Sequence, residues 1–120
     1  MKTNSKKGLY LLFIPLLIAC SPDIEFEKEG WKKQVDGSYL YRDKMVNNLL
    51  KSQKLEGLPY DSLVSLLGHP EPYGMLKENE TTYILVEDYG RDIDPVYVKL
   101  LKIKLSADST VSAYEVVETK

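Results

Sequence analysis

The 120-residue chain carries 16 Lys and Arg against 18 Asp and Glu, with one His and one Cys. That length suits one domain, and 43% hydrophobic with 28% charged residues describes a globular chain, not a disordered one. A formal charge of −2 argues against a nucleic-acid binder built on phosphate contacts, and one Cys leaves no internal disulfide framework and no multi-Cys zinc site.

The N-terminus opens with Lys2, Lys6 and Lys7 and no acid, then runs uncharged and apolar from Gly8 to Ala19. Twelve residues make the apolar region of an export signal, whereas a membrane-spanning helix needs about 20, and Pro15 interrupts the run. Leu17-Ile18-Ala19-Cys20 closes it with the sole cysteine of the chain. This ending resembles the lipobox of bacterial lipoproteins. The resemblance implies cleavage between Ala19 and Cys20 and acylation of Cys20, so that residues 1–19 are a signal peptide. Two or more acyl chains, at about 0.8 kcal/mol per buried CH₂, anchor stably. Loss of the three N-terminal lysines leaves 13 basic against 18 acidic residues, so the lipid, not a basic patch, must hold the chain to the membrane. Ser21 stands where an Asp would signal inner-membrane retention by the enterobacterial sorting rule, which points to the outer membrane; the domain is expected to face the periplasm rather than the cell surface.

Residues 20–40 read as the lipidated Cys and a flexible tether, with acids at Asp23, Glu25, Glu27 and Glu29 and the turn pair Asp36-Gly37. As a coil it would reach about 25 Å, and about 70 Å when stretched, far enough to clear the headgroups. Trp31 is the exception in this polar stretch and is expected to cap the edge of the following core.

Arg42, Met45, Val46, Leu49, Leu50 and Gln53 follow helical spacing, and Gly57 ends that element. Arg42 lies at the edge of the stripe, its stem packed and its head free to reach solvent or an acid. Pro59 starts a second helix with Asp61 in its first turn; Tyr60, Leu63, Val64 and Leu67 repeat the spacing, and Gly68 with His69-Pro70 stops it. Three strand-like runs follow at 81–89, 96–106 and 111–118. Ala107-Asp108-Ser109-Thr110 is short enough for a hairpin. The expected fold is α+β: two N-terminal helices on one face of a three-stranded antiparallel sheet, in the order ααβββ.

The pattern Arg42-x-x-Met45 with Leu49-Leu50, then Gly57-Leu58-x-x-Asp61-x-x-Val64-x-x-Leu67-Gly68-x-Pro70, followed by Tyr83-x-Leu85, resembles the SmpA/OmlA (BamE-like) family of small outer-membrane lipoproteins. A related fold unit occurs in the β-lactamase inhibitory protein. The resemblance covers roughly residues 41–118 of a domain running 41–120, and implies a lipid-anchored domain that works by contact with another envelope protein. The alternative it implies is an inhibitor or protective lipoprotein acting on an envelope enzyme.

No constellation for chemistry competes with that reading. Glu87, Asp88, Asp92 and Asp94 match no calcium-loop spacing, and Arg91 and Pro95 interrupt them. His69 stands in a helix-ending turn with no nucleophile motif beside it. No enzyme activity, cofactor or metal is expected. The strand from Val96 is apolar on both parities, at Val96, Tyr97, Val98, Leu100 and Leu101. Helices cover one face only. Tyr97, Val98 and Leu100 are therefore the candidate partner surface, unless a bulge near Leu100 changes the alternation.

Overall fold

The computed structural model describes residues 23–91, 93 and 95–119. Its elements run α1 (Lys28–Lys32), β1 (Gln34–Val35), β2 (Ser38–Tyr39), α2 (Arg42–Ser52), α3 (Tyr60–Leu67), β3 (Glu80–Asp88), β4 (Tyr97–Leu105) and β5 (Val111–Thr119). The molecule is α+β, with an antiparallel sheet in the order β3-β4-β5 and a separate two-stranded hairpin, β1-β2. The expected order ααβββ is thus incomplete: a helix and a hairpin precede it.

The two long helices form where their periodicity places them. Met45, Val46 and Leu49 of α2 and Leu63 and Leu67 of α3 are buried, while Leu50 and Val64 are half-buried. Pro59 occupies the N-cap of α3 in an extended conformation, and Gly68 closes it at φ 85°, where the absent Cβ removes the strain. These side chains meet Tyr83, Leu85, Leu101, Ile103 and Val111 in one core cluster. Between the helices, Gly57 and Leu58 bond to Val111, so the connection lies beside the start of β5.

β3 breaks register between Ile84 and Val86, leaving Leu85 as the extra residue. Strict alternation would send Leu85 and Val86 to opposite faces, yet both join the core. The bulge therefore sits opposite Leu100, on the neighbouring strand, and β4 itself alternates without interruption.

Residues 23–40 differ from the flexible tether expected there. The Ile24 N–H donates to the Lys44 carbonyl (2.9 Å), the Phe26 N–H to Asn48 Oδ1 (2.8 Å), and Asn47 Nδ2 to the Asp23 carboxylate (3.2 and 3.3 Å). Trp31 is fully buried, edge-on to Phe26 and Tyr83 at ring distances of 5.9 and 6.3 Å. It belongs to the core rather than capping its edge. Gly30 lets α1 approach α2, because a Cβ there would collide with the Met45 methyl. Asp36 and Gly37 have φ of 53° and 81°, the paired positive values of a two-residue hairpin turn that the Asp-Gly pair favours. The physical reason for the difference is burial: one tryptophan and the flanking Ile24 and Phe26 supply enough apolar area to fix a segment whose composition is otherwise polar.

Candidate partner surface and the Arg42 clamp

Cys20 and Ala19, with the signal peptide, lie outside the described residues, as do Asp92 and Asp94. Of the acidic loop, Glu87 and Asp88 end β3. Among the described residues no three His, Cys, Asp or Glu side chains converge as a metal site would require, and no helix is long and apolar enough to cross a membrane. His69 is exposed in the turn after α3.

Val98 and Leu100 do lie on the sheet face turned away from the helices, since Lys99 and Leu101 face the helical side: Lys99 Nζ reaches Asp43 Oδ1 of α2 at 2.7 Å and Leu101 is in the core. They are not exposed, however. Their fractional exposures are 3% and 5%, which corrects the expectation of an open apolar patch. Both belong to the central strand and lose area to neighbours on each side: Leu100 is flanked by Ile84 and Val117, Val98 by Glu87 and Thr119. Tyr97 is half-buried and opposite in parity; its hydroxyl donates to Glu118 Oε1 at 2.7 Å. That bond, with some desolvation and the Glu118 charge, holds the phenol pKa up at about 12. The three residues therefore do not form one surface.

The structure assembles a different polar centre. Arg42 is 2% exposed. Its Nε donates to the Trp31 carbonyl (2.8 Å), and Nη1 donates to Glu71 Oε1 (2.8 Å) and to the Ile84 carbonyl (3.0 Å). Its guanidinium carbon lies 3.4 Å from the centre of the Tyr39 ring and 4.9 Å from that of Trp31. Glu71 also accepts the Ile84 N–H (3.0 Å) and the Tyr39 hydroxyl (3.0 Å). Burial raises the Tyr39 pKa against the opposing pull of Arg42. The clamp thus ties α1, β2, α2, the segment after α3, and β3. Glu71 was not visible to sequence reasoning, because it lies 29 positions along the chain from Arg42 and only the fold brings them together.

The same pair closes one edge of the sheet. The Thr82 carbonyl accepts the Glu71 N–H (2.9 Å), and both backbone groups of Ile84 are bonded to Glu71 and Arg42. Thr82 and Ile84 therefore point their backbone groups away from β4, and Thr81 and Tyr83 point theirs toward it. Carried through the register, Leu101 and Ile103 bond toward β3, while Leu100, Lys102 and Lys104 bond toward β5. Their β5 partners are Val117, Glu115 and Ala113, which leaves Tyr114, Val116 and Glu118 with outward N–H and C=O groups. Val111 is covered by Gly57 and Leu58, but no described residue pairs with the edge at Tyr114, Val116 and Glu118. Tyr114 is 37% exposed beside it.

No family model, curated protein or solved structure matches the chain.

Proposed function

We propose that the chain is a lipid-anchored lipoprotein of the outer membrane, held through Cys20, whose domain faces the periplasm and binds another envelope protein. The lipobox-like Leu17-Ile18-Ala19-Cys20 and the family pattern of residues 42–70 support the anchor and the setting. The observation that carries the binding role is the asymmetry of the sheet. One edge is closed at Thr82 and Ile84 by Arg42 and Glu71, and the other, Tyr114 to Glu118, presents unpaired backbone groups along a nine-residue strand. Natural sheets guard such edges, and an unguarded one is a template for strand addition. The partner surface in this reading is the β5 edge rather than Tyr97, Val98 and Leu100.

A photo-reactive side chain at Tyr114 in the intact membrane is expected to capture an envelope protein. Val116→Pro provides the decisive control. The Val116 N–H points outward, so proline there removes no bond of the domain's own ladder but denies a donor to an incoming strand. The adduct should vanish while the melting temperature stays close to that of the parent. An adduct that persists in a folded Val116→Pro protein would move the contact off this edge.

A further inference from the structure

The sheet face turned away from the helices changes character along β4. Val98 and Leu100 are buried on it, and Lys102 and Lys104 follow at the same parity. Lys102 stands between Thr82 of β3 and Glu115 of β5, and Lys104 between Glu80 and Ala113. Lys77, just before β3, joins them around one open groove, whose other walls are Glu80, Ala113, Tyr114 and Glu115. The groove therefore reaches the unpaired edge of β5.

Its charge is the reverse of the molecule's. Three lysines face two glutamates in it, whereas the residues after Ala19 carry 13 basic against 18 acidic side chains. Glu80 is already engaged, since its Oε1 accepts the Lys77 N–H (2.9 Å). That bond first, and then the charges of Lys102, Lys77 and Lys104, hold its carboxyl below the usual 4.5 against a smaller opposing effect of desolvation. Among the described residues the ion pairs are Arg42–Glu71 and Lys99–Asp43, so no acid is in contact with any of the three ammonium groups.

Ala113 is the short residue in this row. Lys104 lies one strand inward of it, and a strand added to β5 would lie one strand outward, a gap of about 10 Å in all. A lysine and an acid leaning toward each other over the Ala113 methyl bridge that gap. Two residues on, Glu115 repels an acid set directly opposite it. On the other face the added strand would run beside Tyr114, 37% exposed, and half-buried Val116, which suit apolar neighbours.

We infer that the partner strand carries one acidic residue, set opposite Ala113 and drawn to Lys104 and Lys102, with apolar residues opposite Tyr114 and Val116 and a neutral one opposite Glu115. This deepens the edge reading proposed above and rests on it. The strand runs antiparallel, as every pair in this sheet does. Backbone bonds hold any extended segment; the lysine groove selects among segments and speeds their encounter.

The probe is a capped, fluorescent heptapeptide, Thr-Val-Thr-Val-Thr-Val-Glu, whose antiparallel register sets Glu opposite Ala113 and Val opposite Tyr114, Val116 and Glu118. Its counterpart ends in Gln. Each is titrated into the intact mature chain in neutral detergent micelles at low salt, with anisotropy as the readout. The Glu peptide should bind roughly tenfold more tightly, the worth of two exposed charge pairs. Lys102→Gln with Lys104→Gln should bring the ratio close to one, and Lys102→Arg with Lys104→Arg should preserve it, each at a melting temperature near the parent's. Val116→Pro should abolish binding of both peptides. Equal binding of the two peptides to the parent, lost in Val116→Pro, would overturn the acid and leave the edge standing. A preference for Glu that survives removal of both lysines would overturn the role of the groove. Binding of neither peptide would overturn the proposal, while the adduct at Tyr114 judges the edge by itself. Undiminished binding to a folded Val116→Pro protein would overturn both.

Discussion

Taking away the Arg42 guanidinium leaves the Glu71 carboxylate, 26% exposed, beside the Tyr39 ring with only the Ile84 N–H and the Tyr39 hydroxyl to satisfy it. It also strands the Trp31 and Ile84 carbonyls. Arg42→Met is expected to cost about 3 kcal/mol, at the low end for breaking a buried pair because Glu71 retains some water. Adding Glu71→Leu should return part of that loss, since a well-packed apolar pair often replaces a buried ion pair without penalty. Urea midpoints of the two variants check both statements. Tyr83 supplies a pH signature. Its hydroxyl donates to the Gly68 carbonyl at 2.7 Å, and burial, with smaller contributions from Tyr60 and Glu71, pushes its pKa well above the ordinary 10.0. The unfolded chain then loses this proton at a lower pH than the folded one. The contribution is complete below about pH 10 and is lost as pH rises beyond it toward the folded value. Tyr83→Phe should flatten the alkaline fall in stability, measured as the denaturation midpoint against pH.

At the scale of elements, α1 shows where packing overrides local propensity. Five residues cannot hold a helix in water; Trp31 holds this one. Its ring meets Phe26, Tyr83 and the Arg42 guanidinium, and its indole N–H has no hydrogen-bond partner among the described residues, so it contributes by area, shape and the cation above its ring. Trp31→Ala is expected to cost about 3–5 kcal/mol, a large share of what a domain of this size has, and to release residues 23–40 to proteases; limited proteolysis reads the release directly. The helices α2 and α3 and the strands β3 to β5 were legible in the sequence because each is long enough to show its period, with Met45, Val46 and Leu49 or Leu101 and Ile103 repeating on one side. The hairpin strands are two residues each and α1 little more than one turn, too short for any period. Only Asp36-Gly37 and the lone Trp31 signalled them. The alternation of β4 was read correctly as apolar on both sides, but exposure does not follow from parity in a strand flanked on both edges. Arg42 reaches an acid, one of the two partners its place on the helix allows, but the length of its stem says nothing about which acid, and Glu71 comes into reach only through the fold.

For the whole molecule, the parts combine into a small domain with one sheet edge closed by Arg42 and Glu71 and one open edge on β5. The β4–β5 turn shows the same economy. Asp108 accepts the hydroxyls of Ser106 and Thr110, and those bonds hold its carboxyl below the usual 3.8. With 13 basic and 18 acidic residues after Ala19, the domain has no net attraction to an anionic bilayer. On the function proposed, covalent lipid on Cys20 is what holds it to a membrane. Metabolic labelling with a palmitate analogue, comparing the parent chain with Cys20→Ala, tests that dependence most directly. The parent should carry the label and sediment with the outer membrane, and Cys20→Ala should carry none. A labelled Cys20→Ala protein, or an unlabelled parent that still sediments with the membrane, would contradict the account.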